Sequence, residues 1–314
     1  MDAKYARHKG HIAQTFIYLG KLFRMFLFQN DWKVLPMSAI IAGLVSMAVG
    51  ANLYKSMEGT LMGAFALACV CVWNGFFNSI QVVCRERAIV KREHRSGLHI
   101  TSYIAAHMIY QAMLCALQVI ITISVCIALS VKMPDKSLVT PIPVVDIAIT
   151  LFLITYCADM LALLISSFAR TTTAAMTIMP FMLIVQLLFS GGFFSLPQEA
   201  MPFTNLTATK WGLNALCAQG DYNSLPMVSI WNNAMKLKDV EVEGERPFFE
   251  VLKYVEDNNK RDDLLMFCAE QNQNPDYAFD KDVVYDCWFW LILWTLVYIG
   301  ISVILLERID KDRR

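Results

Sequence analysis

Few residues in this chain are of types that do chemistry, and their spacing narrows what that chemistry can be. Asp146 and Asp159 fall inside one long apolar run, Val144–Phe168. Carboxylates placed in hydrocarbon are costly and mark functional candidates. A membrane aspartyl protease would need two of them side by side. Thirteen residues of helix hold these two ~20 Å apart at 1.5 Å per residue, on different faces, so they cannot form a dyad. Asp159 is expected either to bond between spans or to take part in gating or substrate contact, and Asp146 to sit at the interface. His107 and Gln111 stand one helical turn apart in another apolar run, a spacing that more often joins helices than binds ligands. His94 and His99 have no partner at metal-ligand spacing, and no metal site is expected. The nine Cys include no C-x-x-C pair, and no Ser-His-Asp order or His-Glu-x-x-His is present. Gly-x-x-x-x-Gly-Lys-Ser/Thr is also absent, so nothing here cradles ATP phosphates.

The densest polar stretch is Cys84–His99, which holds five Arg or Lys and two Glu between long apolar runs. It cannot lie in hydrocarbon, so it reads as a loop between two spans. On charge alone it is a solvated loop with no special partner. The elements around it are membrane helices. The chain is 56% hydrophobic with mean hydropathy +0.45, above the roughly 45–50% apolar content of soluble chains. Val34–Leu53, Leu61–Val83, Ala105–Val131, Ala174–Leu196 and Cys287–Leu306 carry no charge, and with Val144–Phe168 they make six runs long enough to span. Pro180 should kink the fifth. Ahead of them, Ile12, Phe16, Leu19, Phe23, Phe26 and Leu27 recur at helical spacing opposite Gln14, Lys21 and Arg24. This predicts an amphipathic interfacial helix within residues 1–31. Met1–His11 is polar and basic, with no apolar run directly behind it, so no cleavable signal peptide is expected.

Six spans put both ends on one side. Sixteen Lys and Arg fall on the side of the termini and the Cys84–His99 island, against three (Lys55, Lys132, Lys136) in the short opposite loops. The positive-inside rule then predicts a multi-pass cell-membrane protein with both termini cytoplasmic. Residues 197–286 carry 16 acidic and eight basic residues and are expected as a folded outer cap. Pro247 should start a helix there with Phe248, Leu252 and Val255 on one face. Cys217 and Cys268 lie in this segment, on the oxidising side, and can form a disulfide or remain free thiols; both stay open. Asn205-Leu206-Thr207 is a glycosylation sequon, meaningful only in a eukaryotic host.

Glu86, Arg87, Arg92, Glu93 and Gly97 make the pattern Glu-Arg-x-Ile-x-x-Arg-Glu-x-x-x-Gly. With Phe189-Ser190-Gly191 ending the fifth run, Lys210-Trp211-Gly212-Leu213-Asn214-Ala215-Leu216 following it, and the order of elements, the chain resembles the G-subfamily-like type II ABC exporters, the pleiotropic drug resistance and white/sterol transporter group. The resemblance covers nearly the whole chain. It departs at Tyr103, six rather than seven residues after Gly97, and in lacking a Pro within His107–Leu117. The resemblance implies an all-α membrane protein with a cytoplasmic connecting helix, six transmembrane helices and a helical extracellular cap. It implies that residues 85–99 form a coupling helix pushed by an ATP-binding cassette; on such a helix the seven-residue spacing of Glu86 and Glu93 puts both on nearly one face, where they can offer carboxylates to it. By resemblance Trp73, Asn74, Phe77, Asn78 and Phe189 face a substrate slit between two protomers, and Phe193 and Phe194 stand at a plug above it. Partners implied are the cassette, which would bind ATP and Mg²⁺, a second transmembrane protomer and the bilayer. No cofactor in this chain and no nucleic-acid partner are expected. The function implied is export of hydrophobic or amphipathic small molecules or lipids by a permease that is not itself an ATPase. The rival readings are a type II ABC permease for polymers, which the long 197–286 segment disfavours, a receptor-like protein reading ligands with the cap, and a membrane-embedded enzyme.

Overall fold

The computed structural model describes residues 10–28, 31–192, 197–241 and 246–308. All regular structure among them is helical. In chain order the helices are α1 (His11–Phe28), α2 (Val34–Val49), α3 (Met57–Ser79), α4 (Val82–Arg95), α5 (Ile100–Ala128), α6 (Pro143–Phe168) and α7 (Thr172–Leu188). There follow α8 (Met201–Thr204), α9 (Ala208–Gln219), α10 (Val228–Lys236), α11 (Pro247–Asp257), α12 (Arg261–Gln271) and α13 (Lys281–Glu307). Four helical segments, Met57–Arg95, α5, α6 and α13, are long and apolar enough to cross a membrane, while α2 and α7 are shorter apolar helices of 16 and 17 residues. Sixteen residues rise about 24 Å, against a hydrocarbon core of ~30 Å. Helix starts follow side-chain chemistry. Ser56 accepts from Gly59 N–H ahead of α3, Thr171 from Ala174 N–H ahead of α7, and Asp280 from Asp282 N–H ahead of α13. Pro143 opens α6, where its missing N–H costs nothing.

α6 is the centre of the bundle. It packs against α3, α13, α9 and α5. Lipid is as apolar as leucine, so close packing rather than apolar burial holds such helices together. The α3–α6 seam shows how. A Cβ on Gly75 would collide with the Thr155 carbonyl oxygen and lie 2.7 Å from the Asp159 nitrogen, so only glycine lets the two backbones approach this closely. α9 is buried along nearly its whole length among α3, α6 and α13. Apolar side chains such as Ile40, Leu44, Phe181, Phe289 and Ile304 point outward instead, as lipid-facing residues do.

Between α9 and α13, Trp231, Leu252 and Leu265 form a separate small core joining α10, α11 and α12. α11 starts at Pro247 as expected, with Leu252 inward and Phe248 half exposed. All nine Cys are free thiols. Cys217 and Cys268 therefore form no disulfide here: Cys217 is wholly buried on α9 within the bundle, and Cys268 is half-buried on α12.

Candidate functional site

The charged island is a helix rather than a bare loop. α4 follows α3 after only Ile80 and Gln81. Its start sits on the end of α6: Ser166 Oγ accepts from Val83 N–H (3.0 Å) and Cys84 N–H (3.2 Å), standing in for a cap. One turn on, Arg87 Nη1 donates to the carbonyls of Ser167 (2.8 Å) and Ala169 (3.3 Å). Those carbonyls close α6, where a cation is favoured. The far end of α4 is a Schellman motif: Leu98 N–H reaches Glu93 O (2.9 Å) and Gly97 N–H reaches His94 O (3.0 Å). Gly97 carries φ +100°, which explains why the pattern needs glycine there.

α1 clamps this corner from the other side. Gln14 donates to Gly97 O (3.1 Å) and accepts from His99 N–H (2.9 Å). Ser102 Oγ donates to His11 O, and the rings of His11 and His99 stack at 3.7 Å. Lys21 pairs with Glu86 at 3.2 Å. Tyr18 meets Tyr103 edge-on at 5.4 Å, and Phe23 meets Tyr110 at 6.0 Å, fixing α1 along α5. Gln14 and Lys21 of the polar face thus turn to the protein and Arg24 stays exposed, while Leu19, Phe23 and Phe26 pack inward and Ile12, Phe16 and Leu27 are left exposed.

The carboxylates of α4 do not point out. Glu86 is buried against Lys21. Glu93 buries Oε2 without a hydrogen-bond partner among the described residues, and that burial raises its carboxyl above the ordinary range. Glu86 therefore faces Lys21 rather than outward, while Glu93 stands half-buried with Oε2 turned in. Their seven-residue spacing does share a face, but that face is the inner one. Outward stand Arg85, Ala88, Ile89 and Arg92, one helical stripe with Ile89 at 41% exposure.

A second polar group lies inside the bundle. Asp159 is wholly buried; its Oδ2 accepts from the Cys115 thiol (3.3 Å) and from Asn78 Nδ2 (3.4 Å). Asn78 and Gln118 exchange amide hydrogen bonds at 2.9 and 3.0 Å. Gln111 Nε2 donates to Asn78 O at 3.5 Å. The cluster ties α3, α5 and α6 together. Cys115 and Gln118 were not singled out from the sequence, although His107, Gln111, Cys115, Gln118 and Thr122 form a polar stripe at helical spacing that could have disclosed them. Asp146 stands apart at the other end of α6. Its carboxylate accepts from the N–H groups of Leu138, Val139 and Thr140 at 2.8–3.0 Å, so it shapes the preceding loop and, as spacing required, never meets Asp159.

The predicted slit residues divide. Trp73 and Phe77 are exposed, ring to ring at 6.0 Å, on one face of α3. Asn74 and Asn78 turn inward, Asn74 to Ser38 Oγ of α2 at 3.0 Å and Asn78 to the Asp159 cluster. Phe189 packs on Phe203 at 6.1 Å. Phe193 and Phe194 lie outside the described residues. No group of three metal-ligating side chains occurs among the described residues.

The described residues form a bundle of apolar helices, with α4 held at one end of it by α6 and α1. A family model described as ABC-2 type transporter matches residues 14–217, well over half the chain, and the protein belongs to the ABC-2 type transporter family, as the membrane component of an ABC transporter. No curated protein shows significant similarity to the chain.

Proposed function

We propose that this chain is the six-span permease of an ATP-driven exporter of the G-subfamily-like type, moving hydrophobic or amphipathic small molecules or lipids outward. α2 and α7 complete the six spans, with the cytoplasm on the side of α1, α4 and both termini. The sixteen-to-three split of Lys and Arg supports that orientation. Residues 197–286 are the outer cap. Two such protomers enclose the slit, with Trp73 and Phe77 on its wall, and a partner or fused cassette binds and hydrolyses ATP.

The observation that carries this reading is the anchoring of α4. A force on its outer stripe passes to α6 through Ser166 and Arg87, and to α1 through Lys21–Glu86 and Gln14–Gly97. The stripe of Arg85, Ile89 and Arg92 is what α4 offers to a cassette, with Ile89 as the apolar anchor. The test is to reconstitute the chain with its cassette and compare Ile89→Asp with the native protein. An anchor lost from the centre of an interface costs about 2 kcal/mol, so stimulated ATP hydrolysis and dye transport should fall at least about tenfold, with an unchanged melting temperature. Full coupling in Ile89→Asp would reduce α4 to a solvated turn.

A further inference from the structure

A cavity of about 240 Å³ lies beneath α1, between it, the α3–α4 junction and α5. Leu22, Met25, Phe77 and Leu114 give it apolar walls; His107, Gln111, Gln81 and Glu86 give it polar ones. His107 and Gln111 are each 1% exposed. Both ring nitrogens of His107, and Gln111 Oε1, have no hydrogen-bond partner among the described residues. Buried polar atoms are nearly always paired, so three orphans lining one cavity point to an absent partner.

The orphans also say what kind. A neutral imidazole presents one donor and one acceptor, whichever nitrogen holds the proton, and Gln111 Oε1 presents a second acceptor. Together they ask for a group that both donates and accepts. A cationic head would meet Arg85 on the cavity wall, and Glu86 is already neutralised by Lys21 at 3.2 Å. An anionic head only accepts, so it would leave Gln111 Oε1 and the acceptor nitrogen of His107 unpaired. A hydroxyl suffers neither conflict. The volume equals about eight waters at ~30 Å³ each, enough for a hydroxyl head and a stretch of alkyl chain. The rest of the chain can leave past Phe77 and Met176, both exposed at the bundle surface.

We propose that this cavity is a binding site for an uncharged amphiphile with a hydroxyl head, drawn from the bilayer and meeting the Trp73–Phe77 wall at Phe77 alone. Its occupant would lie against Leu22 and Met25 of α1 and against Gln81 and Glu86 at the start of α4, and so would stiffen the corner that α1 clamps. Binding needs no cassette, so failure here would leave the transporter reading standing.

The probe is a hexadecanol carrying a mid-chain diazirine, photolysed with the full chain in phospholipid nanodiscs and mapped by peptide mass spectrometry. Labelling is expected on the peptides holding Leu22–Met25 and Leu114, several-fold above that from the same probe with a methyl in place of the hydroxyl. His107→Phe/Gln111→Leu should cut it by at least about fivefold, as loss of one hydrogen bond does. Its melting temperature should hold or rise, because orphaned polar atoms are removed. In the native chain, excess unlabelled hexadecanol should compete and hexadecane or palmitate should not, a comparison that needs no variant. Equal labelling by the methyl-ended probe, undiminished labelling of a folded double variant, competition by hexadecane, or no label at these peptides would each overturn the site and leave a cavity that holds water only.

Discussion

Gly97 holds the end of α4 in a left-handed turn at φ +100°. A side chain there is strained whatever space surrounds it, by about 1–2 kcal/mol. Gly97→Ala should therefore lower the melting temperature by several degrees and loosen the α4–α5 corner, seen as faster amide exchange at Gly97 and Leu98. An unchanged melting curve would deny the motif its structural weight. Glu93 makes a different prediction, through pH. Burial of its Oε2 raises its affinity for a proton in the folded state. The fold then binds that proton more tightly than the unfolded chain, so stability falls as pH climbs through the carboxylate range, and the loss is full above the folded value. Glu93→Gln removes it. The variant should melt higher than the native protein at neutral pH, and the gap should close at acid pH, below the ordinary carboxylate range. A gap that stayed constant with pH would assign the effect to packing instead.

Elements are joined by single side chains at their ends. Glu58, in the first turn of α3, accepts from Val228 N–H (3.3 Å) and Ser229 N–H (2.9 Å) at the start of α10. A carboxylate is favoured at a helix N-terminus, and this one ties the α10–α12 core to the membrane bundle. Glu58→Ala should cost about 1 kcal/mol locally, as loss of a cap does. Limited proteolysis reads it: cleavage within residues 236–246 should quicken while the membrane helices stay intact. Unaltered cleavage would place the tie elsewhere. Further ties are the Met57 N–H donating to Pro226 O (3.1 Å) and Asn223 and Asn274 exchanging bonds at 2.9 and 3.0 Å.

For the whole molecule the expectations concern thiols and sidedness. Nine free Cys should react in denatured protein with no reductant present; two fewer would mean that a bridge forms. In intact cells a membrane-impermeant maleimide should reach half-buried Cys268 on α12 and should not reach an Arg92→Cys variant on α4. Labelling of that variant from outside would overturn the proposed orientation.

Hydropathy alone located the six apolar segments, because length without charge is a local property. Observed helices differ from those runs mainly at their ends, where Ser56, Thr171 and Asp280 cap: α13 begins at Lys281, six residues before the uncharged run. The order of elements, the amphipathic α1 and the pattern ending at Gly97 were likewise legible, since each depends on neighbours within a few residues. Facing was not. Seven-residue spacing put Glu86 and Glu93 on one face of α4 but could not say which face; that was decided by Lys21, sixty-five residues upstream. Asn74 and Asn78 share a helix with Trp73 and Phe77, yet Ser38, Gln118 and Asp159 draw them inward. Cys217 and Cys268 looked able to pair until α9 proved to be buried in the bundle. Each of these outcomes turned on partners distant in sequence, and only packing of the helices brings such partners within hydrogen-bonding reach.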